Sequence, residues 1–261
     1  MNILQKIKDH KLKEVAQRKS LYPSALLEKS VYFETKPLSM VEYLRRVDKS
    51  GIIAEFKRKS PSKGDINAYA TVEQVSIGYM QAGASALSVL TDTDFFGGKN
   101  EDLIEARKYN YCPILRKDFI LDEYQIMEAK SIGADVILLI GDMLSKEEVQ
   151  RFSAFAKSLG LEVLMEVHDE RPLDYLNPNI DMVGVNNRDL TNFEVDTKTS
   201  EKLAALIPKE FTKISESGIN NPETVVKLKE FGFEGFLIGE HFMKSANPEK
   251  ACQDFINQIK Q

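Results

Sequence analysis

From residue 51 onward the chain repeats one unit: a short apolar run, a polar or glycine-bearing turn, then a helical pattern. The runs end near Lys57, Thr91, Lys117, Ile140, Glu166, Asn186, Glu216 and Gly239, 20 to 34 residues apart. The clearer helical patterns between them cover 72–81, 101–108, 123–131, 146–159, 201–206 and 222–230. Gly83, Gly133, Gly160 and Gly232 stand where a glycine ends a helix. Ser145, with Glu148 three residues on, has the spacing of a capping box. Strands that alternate with helices specify a parallel sheet. Eight of them at this spacing fit a closed (β/α)8 TIM barrel, whose usual size is about 250 residues. The rival is an open doubly wound sheet, which would carry G-x-G-x-x-G after its first strand. KRKSPSKG stands there instead.

Residues 3–19, 24–30 and 38–48 read as three helices before the first strand. The stripe of the first is weak: Ile3, Leu4 and Ile7 near one side, Leu12, Val15 and Ala16 further on. The expectation is an α/β chain with one barrel domain over 1–261 and an N-terminal helical extension, residues 1–48, packed on it. The formal net charge is −5, with no long basic run, which argues against nucleic acid as the main partner. The first nineteen residues carry lysines throughout and are neither a signal peptide nor a membrane span. The longest aliphatic run, 136–140, is too short to cross a bilayer. Two cysteines, Cys112 and Cys252, cannot make a disulfide framework. A cytoplasmic, soluble monomer is expected, with no membrane partner.

The first strand, within 51–66, is apolar at Ile52, Ile53, Ala54 and Phe56 and charged at Glu55 and Lys57. Residues two apart on a strand face the same side, so an acid and a base share one side near its end. Turn residues Ser60, Pro61, Ser62 and Gly64 follow. A barrel of this kind carries its active site at the C-terminal ends of its strands. Other ends are equally charged: Lys117 on the third strand, Glu166 on the fifth, Asn186, Asn187 and Arg188 on the sixth, Glu216 and Ser217 on the seventh. Five such ends at one mouth are hard to explain by packing, because unpaired charges there are costly. Arg116 and Lys117 are adjacent, so one faces the lumen, and pattern alone does not say which. Glycines at Gly218 and Gly239 (beside Glu240) suit the phosphate cradle that this fold builds after its last two strands. Phe95, Phe96, Phe119 and Phe193 flank strand ends as core, lid or an aromatic substrate wall. Of three histidines, His168 reads as a cap or surface residue, and no His-x-x-x-His or cysteine cluster suggests a metal. Cys112 reads as core.

The segments IIAEFKRKSPSKG, LSVLTDTDFFGGKNEDL, PILRKDFILDEYQI, GADVILLI, LEVLMEVH, VGVNNRDL, ISESGI and FLIGEHFM resemble indole-3-glycerol-phosphate synthases, in order and spacing, from about 51 to 243. The resemblance implies a small phosphorylated substrate, 1-(2-carboxyphenylamino)-1-deoxyribulose 5-phosphate, closed to an indole with loss of carbon dioxide and water. No redox step occurs, so no cofactor is implied. It assigns Lys117 as general acid, Glu166 as the acid–base carboxylate and Lys57 as a substrate contact and second acid. Glu55, Asn186 and Glu216 orient these groups. Ser60, Ser217, Gly218, Gly239 and Glu240 hold the phosphate, the last through its backbone, and Arg188 lies nearby. Phe96 and Phe119 are candidates for the apolar wall. His241 departs from the small residue usual in the family. Two other readings stay open: a different sugar-phosphate barrel enzyme, such as an isomerase or a Schiff-base aldolase using Lys117, or a non-catalytic phospholigand-binding barrel.

Overall fold

The structure, a computed structural model, describes residues 3–61, 63–189 and 193–259. Ser62, one of the turn residues above, and Leu190, in the sixth matched segment, lie outside the described residues. Eight strands form the barrel: β1 (Ile52–Phe56), β2 (Ala86–Leu90), β3 (Ile114–Lys117), β4 (Val136–Ile140), β5 (Glu162–Val167), β6 (Met182–Asn186), β7 (Thr212–Glu216) and β8 (Phe233–Ile238). All neighbours are parallel, and β1 pairs with both β2 and β8, which closes the ring. β1, β2 and β4 are buried at every residue. Strands that are apolar on both sides are stable only where both faces are covered, which is what a barrel ringed by helices provides. A two-residue hairpin, Lys59–Ser60 with Gly64–Asp65, shapes the loop after β1.

The expected helices α4 (Val72–Gln81), α6 (Glu123–Ser131) and α9 (Pro222–Glu230) fall on the residues predicted. α5 (Asn100–Tyr109), α7 (Lys146–Ser158) and α8 (Lys198–Ala204) differ by a few residues at their ends. α7 opens with the capping box of Ser145 and Glu148. Between β5 and β6 the chain makes a 3-10 turn, Arg171–Tyr175, and two further helices follow β8: α10 (Glu240–Met243) and α11 (Pro248–Ile259).

In the extension, α1 (Ile3–Leu21) buries Ile7, Lys11 and Val15, four residues apart on one face. The stripe reads as weak because its central member is a lysine. Leu12, expected near that side, is exposed. Lys11 Nζ meets Asp92 at 2.7 Å, Asp118 at 3.1 Å and Glu14 at 2.8 Å. Arg18 joins the same helix to Glu128 at 2.5 Å. After Pro23 come α2 (Ser24–Leu27) and α3 (Met40–Leu44). The helix expected over 38–48 is cut short: Ser39 caps it by accepting from the Glu42 amide, and Val47 is fully exposed. Cys112 and Cys252 are free and buried. Among the described residues no helix is long and apolar enough to cross a membrane.

Candidate active site

The C-terminal ends of the strands open onto a cavity of about 400 Å3. Glu55, Lys57, Lys117, Glu166, Asn186 and Glu216 all line it. Alternation explains the convergence. Lys117, Glu166, Asn186 and Glu216 each point inward from the end of their strand, and the residue before each points into the helical layer. At β3 this separates the two adjacent cations. Arg116 faces outward, where it donates to Thr91 Oγ1 at 3.0 Å and to Glu128 at 2.5 Å. Lys117 takes the lumen. Asn187, by contrast, faces away from the cavity and donates to Ser215 Oγ at 3.1 Å and to the Glu216 and Ser217 carbonyls.

Lys117 is the hub. Its Nζ donates to Glu166 Oε2 and to Glu216 Oε2, both at 2.6 Å. Asn186 Nδ2 donates to the other oxygen of Glu166 at 3.0 Å, and Asn186 Oδ1 accepts from the Arg188 backbone amide. Glu55 pairs with Lys57 at 2.9 Å, and its second oxygen accepts from Ser88 Oγ at 3.2 Å. Burial pulls the Lys117 pKa down, but Glu166, Glu216 and Glu55 outweigh it and hold the ammonium above an ordinary lysine. Burial also pushes both carboxylic acids up. For Glu166 the Lys117 and His168 charges prevail and lower its pKa. For Glu216, with Glu166 as a negative neighbour, the net shift is upward. One cation between two buried acids stabilises one carboxylate and leaves the second prone to protonation.

A second cluster lines the same cavity, and its Gly239 lies against Glu55 of the first. Ser60, Arg188, Ser217, Gly218, Gly239 and Glu240 line it from the loops after β1, β6, β7 and β8. Ser217 and Gly218 both have positive φ, at 67° and 76°. A Cβ on Gly218 would overlap Val195. The Glu240 carboxylate is held by Arg188 at 3.1 Å, so its side chain is engaged in an ion pair. The apolar part of the wall includes Phe96, Phe119 and Phe193. The Phe96 and Phe119 rings are 5.9 Å apart, and Phe95 packs on His10 outside the wall. Ile3, Leu4 and Ile7 of α1 complete it, so the extension is part of the site, which the pattern of α1 alone did not indicate.

One sequence-based expectation is corrected. His168 is no surface cap: its side chain is 13% exposed, Nδ1 bonds Asp142 Oδ2 at 2.7 Å, and Nε2 faces Glu166 at 3.5 Å. The two-residue alternation that joined Glu55 to Lys57 also joins Glu166 to His168, and could have found it.

The indole-3-glycerol phosphate synthase family model matches residues 4–255, which spans the extension, all eight strands and both clusters. The chain belongs to that family. An indole-3-glycerol phosphate synthase of Bacteroides thetaiotaomicron is 46% identical over 258 residues, 99% of each chain. Another, from Campylobacter jejuni, is 41% identical over 257 residues, 96% of this chain and 98% of its own. Two solved structures share only the fold. A tryptophan synthase a2b2 complex from Pyrococcus furiosus superposes with a TM-score of 0.59 at 16% identity, over 82% of this chain and 99% of that one. A native KDPGal structure gives 0.55 at 12%, over 80% and 92%. In this indole-3-glycerol phosphate synthase family member, His241 lines the cavity while its ring packs edgewise on Phe255 and Phe242, 5.4 and 5.7 Å between centroids. The imidazole is therefore anchored in the aromatic layer under α10 and α11.

Proposed function

We propose that the chain converts 1-(2-carboxyphenylamino)-1-deoxyribulose 5-phosphate to indole-3-glycerol phosphate, carbon dioxide and water, as a carboxy-lyase of tryptophan biosynthesis. The observation that carries the reading is Lys117 clamped between Glu166 and Glu216 at the mouth of a barrel of this family.

Ring closure joins the carboxylate-bearing carbon of the anthranilate ring to the ribulose ketone carbon, and the ketone oxygen takes a proton. Lys117 supplies it. Carbon dioxide then leaves and aromaticity returns. Loss of water removes the new hydroxyl and a proton from the carbon beside nitrogen. Glu166, held ionised, takes that proton, and Lys57 protonates the departing hydroxyl. Glu55 holds Lys57, Glu216 holds Lys117 and Asn186 holds Glu166. The phosphate goes to Ser60, Ser217, Gly218, Gly239 and Glu240, with Arg188 beside them. The anthranilate ring lies against Phe96 and Phe119. The −5 net charge and the absence of a basic run in the sequence support a small-molecule partner over nucleic acid.

The Schiff-base alternative requires a neutral lysine as nucleophile. Two carboxylates on Lys117 oppose that, since they hold the proton on the amine. The test is the appearance of indole fluorescence when the purified chain meets the ribulose phosphate in buffer containing chelator. Borohydride should trap no lysine adduct. No fluorescence, or a trapped adduct at Lys117, refutes the reading.

A further inference from the structure

His168 stands behind the catalytic mouth. Strand alternation places it on the side of β5 that carries Glu166, and the 3-10 turn after β4 (Gly141–Met143) brings Asp142 to its other nitrogen. Beyond it lies a second cleft of about 650 Å3, also lined by Asp142, Asp169, Arg171 and Asn186. His168 therefore separates Glu166 from this cleft and does not line the active-site cavity itself.

The hydrogen bonding defines what the ring can do. Asp142 is an acceptor, so Nδ1 carries the proton in that 2.7 Å bond. Nε2 is then the free end. It is buried, makes no hydrogen bond among the described residues, and lies 3.5 Å from Glu166 Oε1. A neutral ring would aim a lone pair at a carboxylate oxygen. The contact is favourable only if one proton is shared by the pair, as imidazolium facing carboxylate or as carboxylic acid facing imidazole.

We infer that His168, oriented by Asp142, is a positioning residue for Glu166, fixing its carboxylate and keeping it ionised until it takes the substrate's proton. The inference rests on the reaction proposed above. Glu166 is then gripped at three points: Lys117 on Oε2, and Asn186 and His168 on Oε1. The charges around the ring agree. Asp142 faces it from the turn after β4, Glu166 from its own strand and Glu216 from β7. Asp169 and Arg171 follow β5 and pair with each other at 2.6 Å, with Arg171 3.5 Å from Asp142. Lys117 approaches Glu166 from β3, and Lys8 of α1 binds the Met143 carbonyl next to Asp142. Burial lowers the pKa of the ring, but Asp142 and the two glutamates outweigh it and raise it above an ordinary histidine.

The test compares pH profiles of kcat for wild type, His168→Leu and His168→Gln. Wild type should lose rate as pH rises through the raised His168 pKa, because the imidazolium is then lost. His168→Leu should drop kcat by roughly 10- to 100-fold with a much smaller change in KM. His168→Gln, which can still donate to Glu166 but cannot titrate, should recover part of kcat and lack that basic limb. A His168→Gln profile that keeps the limb, or a His168→Leu kcat within twofold of wild type, would overturn the inference. A second measurement needs no turnover: ring titration of His168 by NMR in wild type and in Glu166→Gln. The pKa should fall in the variant, and an unchanged value overturns the coupling. If the wild type makes no indole product, the proposed reaction and the positioning role of His168 in it both fail. The ring titration still decides whether His168 and Glu166 are coupled.

Discussion

Gly184 and Glu216 fit one another: a Cβ on Gly184 of β6 would overlap Oε1 of Glu216 on β7. That oxygen is buried and has no hydrogen bond among the described residues, while Oε2 takes Lys117 at 2.6 Å. Packing against bare backbone, as much as the ion pair, aims Glu216.

Gly184→Ala should therefore push Glu216 off Lys117. Displacements of about 1 Å at such groups cost on the order of 100-fold in rate. Turnover should fall by that order while circular dichroism stays that of the wild type. An unchanged kcat would mean that Glu216 does not position the acid.

Lys117 also neutralises two buried acids. In Lys117→Met, burial should lift the folded-state pKa of Glu166 above the unfolded value of about 4.3 and push that of Glu216, already raised in the wild type, higher still. A raised carboxylic acid favours the fold below its unfolded pKa, and that contribution is lost as pH rises through the folded one. The stability deficit relative to wild type should widen from about pH 5 to about pH 8, reaching roughly 3 to 5 kcal/mol. Urea melts at the two pH values measure it, and a deficit independent of pH would contradict the argument.

Lys11 ties α1 to the loops after β2 and β3 through Asp92 and Asp118. Lys11→Met leaves Asp92 buried without its cation and Asp118 with Arg116 alone, a change that costs roughly 3 to 5 kcal/mol in comparable pairs. Because Ile3, Leu4 and Ile7 wall the cavity, KM should rise and α1 should become sensitive to limited proteolysis. In the wild type, burial opposes ionisation of Asp118, but Lys11 and Arg116 prevail and lower its pKa to about 2. The contribution of a lowered acid is present above the unfolded pKa of about 3.9. It is lost as pH falls toward about 2. Acid unfolding of Lys11→Met should show a smaller component of this kind, since Arg116 alone then holds Asp118.

Gly218 has φ of 76° and no room for a side chain beside Val195. Gly218→Ala should raise KM more than it lowers kcat, and should weaken competitive inhibition by inorganic phosphate. An effect on kcat alone would move the phosphate elsewhere.

The barrel was legible because its strands are buried on both faces and so read as unbroken apolar runs. The charged ends stood out against those runs for the same reason. Lys11 was not legible, since a lysine on a buried helix face looks like a break in the stripe. The lumen-facing choice between Arg116 and Lys117 needed either the family resemblance or the coordinates, because one residue of register separates them. His168 follows a signal already applied to Glu55 and Lys57, yet its partner Asp142 comes from another strand's loop, which no local pattern reveals. α3 starts late because Ser39 caps its N-terminus, and beyond its last residue, Leu44, Val47 is fully exposed.

The central claim is that the Lys117 ammonium delivers the proton that closes the ring. The most direct measurement is single-turnover formation of indole-3-glycerol phosphate by Lys117→Met, with substrate binding measured in parallel. The account predicts a rate at least about 100-fold below wild type with binding largely kept, the loss expected for a missing general acid. A variant that retains more than about a tenth of the wild-type rate contradicts it.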